Sequence, residues 1–265
     1  MSLAARVACP EEALAERHLL GMAEMGFAGL SEQWLMRRAG DLHWRLIARA
    51  MGQEEAVFSS AGGEPLYAAF CATRLLLDRP ELPRLGGRLG LAARLYRVGR
   101  SRLGSRVEIH AEGEAVGHVD LVSAFVGRDG AGNRGLVRRA PRVLALPAER
   151  SGALERLAAR SARVARLARG HAPEGEALRF ATCAAVDFNA AGLLYFPSFA
   201  AFADRAESAA GLIAPGALRA REVCFLGNVD PGEALDIRLV ARREHRLVLI
   251  SAGDGRPLAV SRSLR

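Results

Sequence analysis

The chain has 265 residues, half of them hydrophobic and a quarter charged. This length and balance are typical of one large or two ordinary folded domains, and they exclude a mainly disordered protein. The formal charge is +8 and the sequence contains no lysine, which excludes Schiff-base catalysis and a lysine-dependent phosphate loop. We interpret the excess arginines as residues of solvated faces, with some available to hold ligand phosphates or to face an acidic partner.

Four cysteines are scattered without a C-x-x-C pair, a pattern that favours neither a zinc site nor a disulfide framework. The histidines show no metal-ligand spacing. Residues 1–12 lack the basic and apolar runs of a secretion signal, and no apolar stretch is long enough to span a membrane. We therefore expect a cytoplasmic protein without bound metal or cofactor and without membrane contact. No basic run is interleaved with aromatic residues, so we expect no nucleic-acid partner.

The first half of the chain predicts a helical segment followed by a sheet. Apolar residues at helical spacing predict one helix or two short ones over Leu30–Met51, with Ser31 as the N-cap. Short apolar or alternating runs separated by glycine-rich turns then predict strands of an antiparallel sheet. These runs are Leu66–Phe70, Leu89–Tyr96, Val107–His110 and Val116–Val126.

The second half predicts the same order of elements. A basic helix over Arg150–Arg169 and a breaker segment at 170–175 predict a linker. The expected division is therefore a first domain at 1–149, a linker at 150–176 and a second domain at 177–265. The elements expected after the linker are a strand at Leu178–Val186, a helix at Leu193–Ala210 and strands at Glu222–Leu226, Ala234–Arg242, Leu247–Ala252 and Leu258–Ser261.

Short identities support an internal repeat. Gly29-Leu30 and Gly192-Leu193 lie 163 positions apart (29 to 192), as do Asp41 and Asp204 (41 to 204), and both pairs fall in the predicted helices or at their starts. Gly86 and Gly232 lie 146 positions apart (86 to 232), and each precedes an alternating strand. The repeated order predicts an α+β chain in which each half wraps an antiparallel sheet around one long helix.

The segment Asp187–Phe199 contains the residues best suited to chemistry. Gly192 at a predicted helix start would let a substrate carbonyl approach free backbone N–H groups, which stabilise an oxyanion. This predicts oxyanion or substrate-binding donors at Gly192 and Leu193, or at Gly29, Leu30 and Ser31 of the other half.

The same segment resembles the active-site segment of hot-dog thioesterases of the 4-hydroxybenzoyl-CoA type, in which Asp-x-Asp-x-x-Gly precedes aromatic residues and proline. In that family the second carboxylate carries out hydrolysis, and Asn189 occupies its position here. An amide cannot act as a base, but it can hydrogen-bond a carboxylate or a thioester oxygen. The alternative, that Asn189 only caps a turn, stays open.

A resemblance over nearly the whole chain rests on four motifs: Gly29–Leu35, Gly40–Trp44, Leu194–Phe199 and Gly227–Gly232. Together they are similar to the bifunctional acyltransferase/decarboxylase enzymes of leinamycin-type polyketide biosynthesis. The resemblance implies a double hot-dog fold. It also implies an enzyme that takes methylmalonyl-CoA, loads the acyl group onto the phosphopantetheine of an acyl carrier protein, and decarboxylates it to a propionyl thioester.

The resemblance also implicates a tyrosine, whose counterpart by position is Tyr67, as nucleophile or hydrogen-bond donor. The alternative for Tyr67 is a sheet aromatic with its hydroxyl at the surface. Glu32 and His43 are further candidates, although a first-turn carboxylate is stabilised by the helix dipole and a histidine beside Trp44 is suited to packing.

Two other functions remain open from the sequence. One is an acyl-CoA or acyl-carrier thioesterase or dehydratase, which a hydrolytic carboxylate at the helix start would favour. The other is a catalytically inert module that binds an acyl carrier protein. A homodimer is possible but is not required by the sequence.

Overall fold

The computed structural model describes residues 13–142, 146–169, 176–212, 216–241 and 245–264. None of the helices in these ranges is long and apolar enough to cross a membrane. The helices are α1 (Glu32–Ala50), α2 (Gly152–Arg169), α3 (Ala184–Asp187) and α4 (Phe196–Ala209). The strands are β1 (Ala13–Leu19), β2 (Met25–Gly26), β3 (Gly29–Leu30), β4 (Phe58–Ser59), β5 (Pro65–Leu77), β6 (Arg88–Val98), β7 (Arg102–Ala111), β8 (Glu114–Arg128), β9 (Leu136–Arg138), β10 (Leu178–Ala181), β11 (Ala220–Phe225), β12 (Ala234–Ala241), β13 (Arg246–Ala252) and β14 (Pro257–Leu264).

One antiparallel sheet joins the two halves of the chain. Its main path runs β1-β6-β7-β8-β5-β11-β14-β13-β12-β10, with β4 beside β5 and β9 beside β8. The order is symmetric about the junction where Ala72–Leu76 of β5 pairs with Ala220–Cys224 of β11. Two five-stranded halves thus meet edge to edge, and each encloses one long helix. This is the double hot-dog architecture that the sequence predicted.

Each long helix is buried against its own half of the sheet. Because the apolar stripe of α1 faces β5 to β8, its side chains form one core with the inward residues of those strands, and α4 does the same with β11 to β14. The first core includes Leu35, Leu42, Leu46, Val107 and Val119, and the second includes Phe199, Phe202, Ile237 and Ile250.

Helix α2 covers the opposite face of the sheet. Leu121 packs in the core of α1, whereas its neighbour Val122 packs against Leu154 and Leu157 of α2. Successive strand residues point to opposite faces, so α1 and α2 lie on different sides. The predicted linker helix is therefore a packed helix, and the predicted linker loop at 170–175 lies outside the described residues. The domain boundaries at 149 and 177 stay a prediction.

The two long helices approach closely at Gly40. A Cβ at this position would lie 2.8 Å from Cε1 and Cζ of Phe196 in α4, closer than ordinary van der Waals contact. Rings of Trp44 and Phe70 complete the contact, with the Phe70 and Phe196 centroids 4.5 Å apart. Glycine is needed here because the Phe196 ring occupies the space of a side chain.

Several predicted elements match the structure closely. The first helix begins directly after Ser31, whose Oγ accepts the N–H of Trp34 at 3.3 Å, so the predicted cap is confirmed. Gly86 and Gly232 each lie two residues before β6 and β12, in the left-handed conformation with φ of +80° and +89°. Since β6 and β12 hold equivalent places in the sheet order, this part of the repeat is structural.

Other predicted elements are wrong at their ends. The second long helix begins at Phe196 instead of Leu193, with Pro197 in its first turn, where the missing N–H costs no helical hydrogen bond. The strand predicted over Leu178–Val186 ends at Ala181, because the Asp187 carboxylate accepts the N–H of Cys183 at 2.8 Å and fixes a helical turn. The edge strand β1 was not predicted, because Leu14 is the only one of its seven residues that is buried.

Candidate active site

A cavity of about 910 Å³ lies where the two halves of the chain meet. The first half contributes the start of β5, the end of β8 and β9, and the second half contributes the loop 188–195 and residues 225–228. Tyr67, Asn189 and Leu193, three residues selected from the sequence, line this one cavity. Apolar and aromatic side chains form most of the remaining wall, including Phe58, Trp44, Phe199 and Phe225.

The hydroxyl of Tyr67 is held by Arg128. Nη1 of Arg128, at the end of β8, donates to Oη of Tyr67 at 2.9 Å, and the guanidinium lies over the tyrosine ring with 5.3 Å between Cζ and the ring centroid. A guanidinium can only donate, so the tyrosine oxygen accepts this bond. The hydroxyl hydrogen of Tyr67 is thereby left to donate to another group. Of the two roles implied by the resemblance, this geometry suits the hydrogen-bond donor.

Arg128 also anchors the loop that forms the other wall. Its Nη2 donates to the carbonyl of Ala191 at 2.5 Å and to Oδ1 of Asn133 at 3.0 Å. Asn133 is buried, and its Nδ2 in turn donates to the carbonyls of Gly192 and Val229, at 2.6 and 2.8 Å. One arginine and one asparagine of the first half therefore fix the loop of the second half beside Tyr67.

Asn189 caps the turn of its own loop. Its Oδ1 accepts the N–H groups of Ala191 and Leu193, at 3.0 and 3.1 Å. The side-chain oxygen is therefore occupied, which fits the turn-capping alternative that the sequence left open. The amide nitrogen of the same side chain remains the group that Asn189 can offer to a ligand, because an amide carries donors as well as an acceptor.

The structure corrects the oxyanion donors predicted at Gly192 and Leu193. The N–H of Gly192 donates to the Asn189 carbonyl at 2.9 Å, and the N–H of Leu193 donates to Oδ1 of Asn189. Both donors are used inside the loop because the helix begins only at Phe196. The N–H of Phe196 has no hydrogen-bond partner among the described residues, and Phe196 lines the cavity.

A third asparagine, Asn228, satisfies the backbone of Leu194. Oδ1 of Asn228 accepts the N–H of Leu194 at 2.9 Å, and its Nδ2 returns a bond to the Leu194 carbonyl at 3.2 Å. Asn228 belongs to the motif Gly227–Gly232, so that motif supports the loop. Asp187, the surviving carboxylate of the active-site segment, is buried against Cys183 and does not line the cavity.

Gly29, Leu30 and Ser31 do not join the cavity. Gly29 and Leu30 form strand β3 of a two-stranded hairpin, and the N–H of Ser31 donates to the Glu24 carbonyl at 2.8 Å. They were predicted as an alternative donor set in the other half, and none of them lines this cavity. Near its start, α1 contacts the start of α4 through Gln33, whose Nε2 donates to the Pro197 carbonyl at 3.1 Å, and through Arg37, which lies over the Tyr195 ring.

Glu32 and His43 have structural partners. Glu32 pairs with the fully buried Arg221 at 3.1 Å. His43 is fully buried between Ser105 and Ser123, with 2.8 Å from a ring nitrogen to each hydroxyl. Burial lowers the pKa of His43 to about 3, so the ring is neutral at physiological pH. Neither residue reaches the cavity.

The charge of the cavity is entirely basic. Arg37, Arg134, Arg138 and Arg256 contribute to its wall, and among the described residues no aspartate, glutamate or histidine does. Cys71 also lines it, but burial raises the pKa of the thiol more than Arg102 and Arg138 lower it. A protonated thiol is a poor nucleophile. The described wall thus offers hydrogen-bond donors and positive charge but no general base.

Sequence reasoning missed Arg128, Asn133 and Arg256. Each was one polar residue among many, and nothing local to Arg128 points to Tyr67, which lies 61 positions away. Asn228 could have been selected from the sequence, because it lies in the motif Gly227–Gly232 on which the resemblance rests.

Comparison with known proteins establishes the fold. No protein-family model and no curated protein matches the chain. Among solved structures, the chain is similar to an acyl-ACP thioesterase from Bacteroides thetaiotaomicron, with 10% identity, coverage of 95% of this chain and 97% of that chain, and a TM-score of 0.64. It is likewise similar to a 12:0-ACP thioesterase from Umbellularia californica, with 10% identity, 95% and 96% coverage and a TM-score of 0.69.

A MaoC-like dehydratase from Phytophthora capsici is also similar, with 13% identity, 95% and 94% coverage and a TM-score of 0.51. Near-complete coverage of both chains confirms the double hot-dog fold predicted from the sequence. The resemblance to the leinamycin-type enzymes stays a prediction.

Proposed function

We propose that the protein acts on acyl thioesters, transferring a methylmalonyl-type acyl group from coenzyme A to the phosphopantetheine of an acyl carrier protein and decarboxylating it to a propionyl thioester. The observation that carries this proposal is the Tyr67–Arg128 pair in a cavity whose described wall contains no carboxylate or histidine. Two of the similar structures are named for acyl-ACP substrates, which supports a carrier protein as the partner.

The cavity suits a reaction that needs oxyanion stabilisation more than proton abstraction. During transfer, the thiol of the carrier attacks the thioester carbonyl, coenzyme A leaves as its thiol, and the proton of the attacking thiol passes to it. The Tyr67 hydroxyl is placed to donate to the carbonyl oxygen while that oxygen is negatively charged. Arg128 strengthens this donation, because a bond to a cation draws electron density from the phenol oxygen.

Decarboxylation can use the same donor. The bond between the acyl α-carbon and its carboxylate breaks, carbon dioxide leaves, and the electron pair becomes a thioester enolate whose oxygen Tyr67 can hold. A proton from solvent then restores the α-carbon. The largely apolar wall favours this step, since a carboxylate loses its charge to a better stabilised oxygen.

The competing function is thioester hydrolysis, as in the named neighbours. Hydrolysis on a hot-dog fold of the 4-hydroxybenzoyl-CoA type uses a carboxylate, and Asn189 stands at that position with its oxygen already bonded to two N–H groups. This observation favours transfer over hydrolysis.

The test is the intact mass of a phosphopantetheinylated carrier protein after incubation with methylmalonyl-CoA, with and without this protein. A protein-dependent propionyl adduct is the expected result. A retained methylmalonyl adduct would mean transfer without decarboxylation. Free coenzyme A with an unmodified carrier would identify a thioesterase, and no change in either would favour an inert carrier-binding module.

A further inference from the structure

Arg256 lines the cavity and has one buried guanidinium nitrogen that makes no hydrogen bond among the described residues. It lies directly before β14, and its Nη1 donates to the Asn228 carbonyl at 2.8 Å. Its Nη2 is buried and has no hydrogen-bond partner in the described residues. Its Nε forms a long ion pair with Oδ2 of Asp254 at 3.9 Å, beyond hydrogen-bond range, and this contact does not involve Nη2.

Two other arginines of the cavity wall, Arg134 and Arg37, already contact groups of the protein. Arg134 pairs with Glu233 and with Asp254, and its side chain is 56% exposed. Arg37 lies over the ring of Tyr195, with 5.9 Å from Cζ to the centroid. Arg256 therefore differs from both: its charge is partly desolvated, and one end of its fork has no acceptor.

A buried, unpaired guanidinium nitrogen favours an anionic ligand. An unsatisfied charged donor costs free energy, and a carboxylate or phosphate oxygen that bonds to it removes the cost with a charge-assisted hydrogen bond. Arg256 shares the cavity wall with apolar residues such as Leu194, Phe225 and Leu226. A small anionic group at the end of an acyl chain suits this corner, whereas exposed Arg134 and Arg138 suit phosphates.

We propose that Arg256 binds the free carboxylate of a malonyl-type acyl group and so selects carboxylated acyl thioesters over plain ones. The inference rests on the proposed function, because it assumes that the cavity holds an acyl thioester. A phosphate of coenzyme A offers the same oxygen chemistry, so the experiment separates the two sources.

The contact acts on binding more than on bond breaking. The carboxylate is charged in the bound substrate and loses that charge as carbon dioxide forms, so Arg256 stabilises the substrate at least as much as the transition state. Loss of Arg256 should therefore raise KM for methylmalonyl-CoA without lowering kcat for carbon dioxide release. A structural defect would lower kcat as well.

The variants are Arg256→Gln, Arg256→Lys and, as the matched control on the same wall, Arg134→Gln. Affinities for methylmalonyl-CoA, propionyl-CoA and coenzyme A are measured by titrating the tryptophan fluorescence, which comes from Trp34 and from Trp44 in the cavity wall. KM and kcat are measured for methylmalonyl-CoA. We expect Arg256→Gln to lower the affinity for methylmalonyl-CoA about 10- to 100-fold, which is the contribution of one charge-assisted hydrogen bond. Its affinity for propionyl-CoA should fall less than about threefold. Arg256→Lys should recover part of the loss, and Arg134→Gln should not change the preference.

Propionyl-CoA binding shows that each variant is folded, because it uses the same cavity without the carboxylate. If Arg256→Gln lowered the affinity for all three ligands equally, Arg256 would bind a phosphate of coenzyme A, and the inference would be overturned. Unchanged preference would also overturn it, while leaving the proposed function standing. A wild-type protein that binds none of the three ligands would instead overturn the proposed function.

Discussion

The two long helices begin in different ways. Helix α1 is capped by its own neighbour Ser31, and its first residue, Glu32, pairs with buried Arg221. Helix α4 begins at Phe196 after Tyr195, which makes no side-chain cap. The loop before α4 is held instead by side chains from elsewhere, Asn133, Asn228 and Arg128.

This difference explains why one helix start lines the cavity and the other does not. The start of α1 lies beside the β2-β3 hairpin, where Ser31 caps it and Glu32 pairs with Arg221 of β11. Arg128 of the first half donates to the Ala191 carbonyl in the loop before α4, and it also donates to the Tyr67 hydroxyl. The two helix starts therefore differ, and the cavity lies where the two halves contact each other.

The two halves also differ in their buried polar groups. His43 of α1 lies between two serines, whereas the position 163 further along the chain is Ala206, fully buried in α4. The core of α1 thus contains a titratable group at a position where the core of α4 is apolar. The following predictions test these contrasts.

The largest effect is expected at the contact between the halves. Tyr67→Phe removes the donor that Arg128 orients, and the loss of one oxyanion donor typically lowers turnover about 100- to 1000-fold. Carrier loading by mass spectrometry measures it. The matched control is Tyr96→Phe, a tyrosine of β6 that does not line the cavity. If both variants keep wild-type turnover, the site does not depend on the first half.

The next effect is a loss of stability in acid that comes from the α1 core. The pKa of His43 is about 3 in the folded protein and 6.5 when free of its burial. The unfolded chain therefore binds the proton more readily, and stability is complete above pH 6.5 and falls as the pH drops toward 3. The loss is at most about 1.4 kcal/mol per pH unit, or on the order of 2 to 3 kcal/mol near pH 4.5.

Urea unfolding near pH 7 and near pH 4.5 checks this prediction. His43→Gln keeps an amide that can bond Ser105 and Ser123 but removes the titration, so its free energy of unfolding should fall less between the two conditions. The wild-type minus variant difference isolates His43 from carboxylates such as Glu16. An equal fall in both proteins would show that His43 does not set the acid response.

The smallest effects separate the two helix starts. Asn189→Ala leaves the N–H groups of Ala191 and Leu193 without their acceptor, which should lower the free energy of unfolding by about 2 kcal/mol. Ser31→Ala should cost about 1 kcal/mol, the usual value of one cap. Denaturant unfolding measures both.

Asn189→Asp is the matched control, because a carboxylate keeps both acceptor bonds. It should stay within about 0.5 kcal/mol of wild type. Asn189→Ala should also lower carrier loading, whereas Ser31→Ala should leave it nearly unchanged. Equal losses of loading in the two alanine variants would contradict the distinction between a cavity loop and a structural cap.

The sequence by itself determined the order of the three long helices and of strands β5–β8 and β10–β14, the first helix with its Ser31 cap, and the repeat marked by Gly86 and Gly232. These features follow from local periodicity and local turn conformation, which a chain carries in neighbouring residues. The double hot-dog fold followed from the repeated order and from the motifs that carried the family resemblance. Asn189 was selected from a motif and Tyr67 by its position in the resemblance, and both line the cavity.

Only the tertiary structure decided what these residues contact. Arg128 meets Tyr67 across 61 positions of sequence, and Asn133 meets Gly192 across 59. It also decided that Asn189 uses its oxygen inside its own loop, that α4 starts at Phe196, and that Nη2 of Arg256 has no protein acceptor among the described residues. The physical reason is that charged and amide side chains bond to the partners that lie near them. The pairing of β5 with β8 brings Arg128 to Tyr67, and the pairing of β5 with β11 joins the two halves.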